Sequence, residues 1–355
     1  MTVTLLALVA LLAYANGSND NAKGVATLVG YGAARARPAL LYATLTTAVG
    51  AAVSFGFSGG LLKSFSAGLF ANGTPGLTEA FFAAVLIGAF GWVIFATLTG
   101  LPVSTTHAIT GALFGAGLVA LGRDKVQWAV LGKGFVLPLL LSPVLSLAIV
   151  FLLAWPVVWM VHWATAVRRV QVEEFDTAFV APSGAGGGGA AVLEYESRTE
   201  TRRVSPAANA VHWASGGLIG FARGWNDTPK IAALCLLALP HRMGIGFAIV
   251  TVAMAAGGLV SGRKVLETLA KKLTPLPLPE SLTASLCTAG LVCLASWEGL
   301  PVSTTHVSTG AIIGAGLKND PSAVKWKKVT EIVLSWVVTL PAAGLIAAGA
   351  KWVLH

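Results

Sequence analysis

The octapeptide GLPVSTTH, at residues 100–107, returns unchanged at residues 299–306. The likeness extends beyond the eight residues: positions 99–118 and 298–317 agree at 15 of 20 places. Agreement of this extent between two distant segments indicates an internal duplication.

A second motif precedes each copy of the first. It reads GSNDNAK at residues 17–23 and GWNDTPK at residues 224–230, so both copies fit the pattern GxNDxxK. The two motifs therefore occur in the same order in each half. This order predicts a chain built from two homologous repeats.

The composition is that of an integral membrane protein. Of the 355 residues, 55% are hydrophobic and only 11% are charged, whereas ordinary soluble domains have roughly 25% charged residues. With roughly 20 residues for each spanning helix, the length predicts an all-α protein with about ten to twelve membrane helices. The net charge of +9 is attributed to Lys and Arg in cytoplasmic loops and near lipid headgroups, not to a nucleic-acid site.

The apolar pattern divides the chain into three parts. Residues 1–163 are predicted to form a first membrane repeat and residues 207–355 a second. Residues 164–206 between them are rich in acidic residues and glycine, which predicts a hydrophilic linker on the cytoplasmic side. Polar and glycine residues interrupt the apolar segments at 16–21 and 224–227, which predicts helices broken inside the membrane.

The hydroxyl-rich stretches suit an anion. A broken helix exposes backbone N–H groups and the positive end of its dipole. Pro102 and Pro301 are expected in the first turn of short helices, with three hydroxyl side chains near each N-terminus. Two such elements could close around a tetrahedral oxyanion at mid-membrane, as in transporters built from repeats. These hydroxyls belong to Ser104, Thr105, Thr106, Ser303, Thr304 and Thr305.

Two Asp–Lys pairs fall within the apolar segments. They are Asp20 with Lys23 and Asp227 with Lys230. A spacing of three puts both side chains on one helix face, where they could simply neutralise each other. An ionisable residue inside the membrane normally has a partner or lines a cavity. An ionised Asp accepts a hydrogen bond from the proton that phosphate retains and repels sulfate, which favours phosphate, although the adjoining lysines weaken that preference.

The doubled motifs resemble those of the inorganic phosphate transporter (PiT) family, which has a GxNDxxN-type and a PxSTTH-type motif in each half. The resemblance covers both halves and excludes the linker. It implies inverted repeats with broken helices and re-entrant hairpins, and a symporter that moves orthophosphate by alternating access. It further implies a site for substrate and coupling cations formed by Asn19, Asp20, Ser104, Thr105, Thr106, Asn226, Asp227, Ser303, Thr304 and Thr305.

One departure from the family pattern concerns the coupling cation. Where the family has Asn three residues after the Asp, this chain has Lys23 and Lys230. We hypothesise that each ammonium stands where a sodium ion would be coordinated, which favours a proton over sodium as the coupling ion. The groups that could carry the proton are Asp20, Asp227, His107, His306 and Glu298.

Other functions are weighed against this one. A sulfate permease of the same family is the nearest alternative, followed by an anion channel. An intramembrane hydrolase with a Ser or Thr nucleophile is disfavoured because no nucleophile elbow is present and an enzyme has no need of two near-identical sites. We therefore expect a transporter and not an enzyme.

The expected environment follows from the same patterns. The three cysteines lie in apolar runs without metal-ligand spacing, so neither a metal site nor a cofactor is predicted. The expected partners are inorganic phosphate or sulfate, a proton or sodium as coupling cation, membrane lipid and, as one option, further copies of the chain in a homo-oligomer. The predicted location is the cell (plasma) membrane, crossed several times.

Overall fold

The computed structural model is helical throughout the part of the chain that it describes. The described residues are 2–57, 59–66, 68–70, 77–165, 206–236, 238–239 and 242–354. Most of the predicted linker, from residue 166 to residue 205, lies outside them. Extended pairing in the described part is limited to one bridge between Phe70 and Val126.

The helices follow the order expected of two repeats. Those of the first half are α1 (Thr2–Asp20), α2 (Ala26–Tyr31), α3 (Ala36–Phe57), α4 (Gly59–Ser66), α5 (Glu79–Thr99), α6 (Thr105–Leu121) and α7 (Leu137–Thr165). Those of the second half are α8 (Pro206–Ala232), α9 (Met243–Ser261), α10 (Arg263–Lys271), α11 (Leu278–Trp297), α12 (Thr304–Asn319) and α13 (Trp326–Val353).

Several helices have the length and composition of membrane spans. Within the described residues, seven segments qualify by these two criteria: Thr2–Gly24, Ala36–Phe57, Glu79–Thr99, Val130–Leu153, Met243–Ser261, Leu278–Trp297 and Trp326–Val353. Their outward faces are apolar, as the exposed side chains of Leu152, Val252 and Leu345 illustrate. The all-α membrane fold is confirmed, whereas ten to twelve crossings and the inverted orientation of the repeats stay predictions.

Glycines bring helices of one half against helices of the other. A Cβ atom on Gly115 of α6 would lie 2.1 Å from the carbonyl oxygen of Gly344 in α13. In the equivalent pair, a Cβ atom on Gly314 of α12 would lie 2.5 Å from the carbonyl oxygen of Leu147 in α7. Only glycine permits backbones to approach this closely. Helices of the two halves therefore pack directly against each other.

The helix breaks differ from those predicted. In the first half, α1 continues to Asp20, and the break is a 3₁₀ turn over Asn21–Gly24 before α2. In the second half the prediction is wrong, because α8 runs without interruption through residues 224–227. Gly224 serves packing instead: a Cβ atom there would lie 2.0 Å from the carbonyl oxygen of Thr47 in α3.

Candidate functional site

Both GLPVSTTH stretches end in a helix N-terminus capped by their serine. Ser104 has extended backbone geometry, and its hydroxyl accepts a hydrogen bond from the backbone N–H of His107 at 3.1 Å. Ser303 does the same for His306 at 3.2 Å. The prolines, two positions before each cap, therefore lie outside the first turn, which corrects the prediction for Pro102 and Pro301. A serine that accepts in this way still has its O–H to donate.

The two helix N-termini meet at the centre of the molecule. The imidazole rings of His107 and His306 lie 4.4 Å apart between centroids. The hydroxyl of Thr305 donates to the carbonyl of Val103 at 2.6 Å. Two positive helix ends are thus brought together, and such helix ends favour an anion.

Each lysine reaches a hydroxyl of the opposite half. The ammonium of Lys230, from α8, donates to the hydroxyl of Thr106 at 2.8 Å and to the carbonyl of Val302 at 2.8 Å. The ammonium of Lys23 donates to the hydroxyl of Thr305. Thr106 and Thr305 occupy the same position of the repeated motif, so the contacts are related by the duplication.

The predicted Asp–Lys ion pairs are present in both halves. Lys23 pairs with Asp20, and the ammonium of Lys230 lies 3.5 Å from the carboxylate of Asp227. All four side chains are buried. The pairs do neutralise charge inside the molecule, but each lysine is also bound by the other half, so they are part of the interface between the repeats.

The motif asparagines hold the GLPVSTTH stretches in place. The side chain of Asn19 accepts from the backbone N–H of Val103 at 3.0 Å and donates to the carbonyl of Leu101 at 2.9 Å. Asn226 donates to the carbonyl of Val302 at 3.2 Å. These residues are predicted to bind substrate, and in this structure their amides position the two loops.

Arg223 is a site residue that the sequence reading missed. Its guanidinium is 1% exposed and donates to the side-chain oxygen of Asn16 at 2.7 Å, to Thr47 at 3.2 Å and to Asn21 at 3.3 Å. It also lies 3.7 Å from the carboxylate of Asp227. The signal that could have revealed it is an arginine four residues before the Asp of the second motif, where the first half has Asn16.

Asn16 is the second missed residue, and it bridges the two carboxylates. Its amide nitrogen lies 3.0 Å from Asp20, 3.3 Å from Asp227 and 3.0 Å from the hydroxyl of Thr105. The carboxylates of the two halves are therefore joined through one amide group. The first half offers an asparagine at the position where the second half offers Arg223, so the site is chemically asymmetric.

The buried charges of the site sum to a positive value. Lys23, Lys230 and Arg223 contribute three positive groups, and Asp20 and Asp227 contribute two negative groups. With neutral imidazoles, one formal positive charge remains. Since an uncompensated charge inside a protein is costly, this excess favours a bound anion.

The remaining predicted residues divide into two groups. Thr304 and both histidines are buried at the helix N-termini with the rest of the site. Glu298 is exposed at the end of α11 and is therefore not part of the buried cluster. Among the described residues, no group of three or more His, Cys, Asp or Glu side chains is placed to hold a metal ion.

Comparison with known proteins identifies the family of this chain. The profile described as "Phosphate transporter family" matches residues 16–347. A protein of Pyrococcus abyssi named as a phosphate permease is 36% identical over 145 residues, which are 38% of this chain and 36% of that protein. A protein of Rhizobium meliloti named as a low-affinity inorganic phosphate transporter is 34% identical over 154 residues, which are 41% of this chain and 46% of that protein.

These alignments span less than half the length of the curated relatives. A solved structure described as "The sodium-dependent phosphate transporter" aligns with 99% of this chain, over 98% of the length of its own chain. The TM-score is 0.79 and the sequence identity is 24%, which shows that the two proteins share a fold. The profile match extends over nearly the whole sequence and includes both copies of both motifs. The protein is a multi-pass membrane protein. The resemblance found from its motifs is confirmed. The chain belongs to the phosphate transporter family, whose members are transporters and not enzymes.

Proposed function

We propose that this chain carries inorganic phosphate across the membrane by alternating access, at a site between the N-termini of α6 and α12. The observation that carries the proposal is the buried cluster of three cations and two carboxylates against two helix N-termini. Its net positive charge and its hydroxyl and N–H donors suit a tetrahedral oxyanion.

The carboxylates favour phosphate over sulfate. Asp20 and Asp227 lie within the cluster, joined through Asn16. An ionised carboxylate accepts a hydrogen bond from the proton that phosphate retains near neutral pH, whereas fully ionised sulfate offers no such proton. The names of the relatives agree with phosphate. Sulfate remains the runner-up substrate because the neighbouring lysines reduce the negative charge that would repel it.

The lysines favour proton coupling over sodium coupling. Each ammonium lies among oxygen atoms: Lys230 is bound by a threonine hydroxyl and a carbonyl and lies near the carboxylate of Asp227. Hydroxyl, carbonyl and carboxylate oxygens are also the ligands of hard metal cations. A fixed ammonium in such a position supplies the positive charge that a coupling sodium would bring. The adjacent imidazoles of His107 and His306 and the two carboxylates are the groups that we propose for proton transfer.

The closed state of the site supports alternating access. Asp20, Lys23, Asp227 and Lys230 are each 3% exposed or less. Substrate can enter only if the elements around them part, and the contact of Lys230 with Thr106 joins one half to the other across that interface. We propose that residues 1–163 and 207–355 form the two repeats that move relative to each other in the cell membrane, with residues 164–206 as a cytoplasmic linker.

Exchange in proteoliposomes tests the proposed function. Vesicles loaded with unlabelled phosphate and diluted into a trace of labelled phosphate should accumulate the label transiently above the external concentration, because a carrier exchanges one substrate for another. An anion channel would only equilibrate the label, and a hydrolase would move none. Loading with sulfate instead should give no accumulation, and equal accumulation with sulfate would assign the runner-up substrate.

A further inference from the structure

Beyond the anion site, a group of polar side chains lies between α2, α8 and α11. Thr27, in α2, follows the 3₁₀ turn that holds Lys23. Its hydroxyl lies 3.0 Å from the hydroxyl of Ser285 in α11 and 3.4 Å from the imidazole Nε2 of His212 in α8. Thr27 is 6% exposed and the other two side chains are fully buried. Three helices thus place hydrogen-bonding groups around one buried point next to the site.

His212 has unused hydrogen-bonding capacity at this point. Within the described residues, its Nδ1 atom is buried and has no hydrogen-bond partner. Its ring lies 6.0 Å from the ring of Tyr31, one helical turn beyond Thr27. A buried imidazole nitrogen of this kind is normally satisfied by water or by a ligand.

A cleft reaches the same group of residues. Its cavity volume is about 10 Å³, room for one water molecule, and it is lined by Thr27, Tyr31 and Thr274 together with apolar side chains of α2, α10 and α12. Thr27 thus lines the cleft, contacts Ser285 and His212, and lies four residues after Lys23 in the chain.

The duplicated positions of the other half are apolar. Aligning the NDxxK motifs pairs Thr27 with Leu234 and His212 with Leu5, and aligning the GLPVSTTH stretches pairs Ser285 with Leu86. The three leucines are at most 1% exposed and lie in one hydrophobic core. Leucine cannot replace the hydration shell of an anion, whereas hydroxyl and imidazole groups can.

We propose that Thr27, His212 and Ser285 line the access route through which a hydrated oxyanion passes between the cleft and the site. The duplicated positions of the other half hold Leu5, Leu86 and Leu234, which offer a passing anion no hydrogen bond. The inference rests on the proposed phosphate transport and adds to it the path. The hydroxyls and the free imidazole nitrogen take over hydrogen bonds that the anion loses as it leaves water.

Cysteine accessibility tests this route directly. The background protein carries Cys235→Ala, Cys287→Ala and Cys293→Ala. Thr27→Cys, and Leu234→Cys as the control at the duplicated position, are introduced separately and treated with a small anionic methanethiosulfonate reagent. We expect Thr27→Cys to react at least about tenfold faster, and phosphate to slow its reaction, because the polar route is hydrated and the leucine core is dry. Equal rates at the two positions, or a faster reaction at position 234, would overturn the proposal.

A second pair of variants keeps the test decisive if the cysteine proteins do not fold. Ser285→Leu places the residue of the other half in the route and should reduce phosphate exchange about tenfold while equilibrium phosphate binding to the purified protein is retained. Thr283→Val is the control, since Thr283 donates only within its own helix, to the carbonyl of Pro279 at 2.8 Å. Normal exchange by Ser285→Leu refutes the route, whereas absence of phosphate binding by the unmodified protein refutes the proposed function itself.

Discussion

Lys230 of the second half donates a 2.8 Å hydrogen bond to Thr106 of the first. The duplicated residues, Lys23 and Thr305, form the reciprocal contact. Each half therefore places its ammonium on a hydroxyl of the other, while keeping its own carboxylate as the ion-pair partner. In the proposed alternating-access cycle, the fixed cations lie on the surface that separates when the site opens.

Replacing both lysines by asparagine tests their role as substitutes for sodium. The variant Lys23→Asn/Lys230→Asn restores the GxNDxxN pattern of the family and removes two buried positive charges. We expect its phosphate uptake to become sodium-dependent, because an ion must then supply the lost charge. Uptake into proteoliposomes at several sodium concentrations measures this.

The single variants serve as controls for the double one. Each should lower uptake and show a weaker sodium response, since one ammonium remains in place. If phosphate uptake by the double variant is as independent of sodium concentration as uptake by the parent chain, the lysines do not take the place of a coupling ion. Binding of phosphate to the purified variant separates loss of coupling from loss of the site.

Arg223 is expected to be a major contributor to stability. Arg223→Leu leaves the buried carboxylate of Asp227 without its guanidinium partner and leaves Asn16 and Asn21 without a donor. Breaking a buried pair of this type costs about 3–5 kcal/mol of the free energy of unfolding. Unfolding of the purified protein in mild detergent measures the loss.

An arginine with the same spacing but full exposure is the matched control. Arg263 pairs with Glu267 at 2.9 Å, also four residues along a helix, but its side chain is 74% exposed. Arg263→Leu should therefore change stability by no more than about 0.5 kcal/mol. Equal effects of the two substitutions would show that burial of Arg223 has no energetic consequence.

Gly115 is predicted to be required for packing of α6 on α13. A methyl group at this position would overlap the backbone of Gly344, so Gly115→Ala should destabilise the protein by about 1–3 kcal/mol through overpacking. Gly290→Ala in α11 is the control, because no other atom lies within 4 Å of its Cβ position. That substitution should be neutral or stabilising by up to about 1 kcal/mol. A tolerated Gly115→Ala would refute the close approach of the two helices.

Glu298 and Asp227 are predicted to differ in their effect on transport. Asp227→Asn removes a buried carboxylate that contacts Lys230 and Arg223, and phosphate uptake should fall by at least about tenfold. Glu298→Gln alters an exposed group at the end of α11 and should leave uptake and its pH dependence within about twofold. A larger effect of Glu298→Gln on uptake or on its pH dependence would show that Glu298 takes part in coupling.

The sequence predicted the site where identical patterns occur twice. The repeated GLPVSTTH stretches and the Asp–Lys spacing were enough to identify the two helix N-termini and the two ion pairs. The sequence did not reveal Arg223, because the duplication pairs it with Asn16, and a residue present in only one half does not stand out in a comparison of repeats. The contact between them depends on the way in which α8 crosses α1, which no local pattern encodes.

Two errors have physical reasons of their own. Gly224 was interpreted as a helix breaker, but glycine inside a membrane helix equally permits a neighbouring backbone to approach, and tertiary packing decides between these roles. Pro102 and Pro301 were expected in the first turn of their helices, but Ser104 and Ser303 cap those helices two positions later. Sequence patterns locate a helix end only to within one or two residues.

Labelled phosphate uptake into proteoliposomes, with sodium and pH gradients imposed separately and excess sulfate as competitor, tests the central claim most directly. We expect saturable uptake that is driven by the pH gradient, does not depend on sodium and is not inhibited by sulfate. Strict dependence on sodium would contradict the assignment of the buried lysines as fixed replacements for the coupling ion. Strong competition by sulfate would contradict the assignment of phosphate as the preferred substrate.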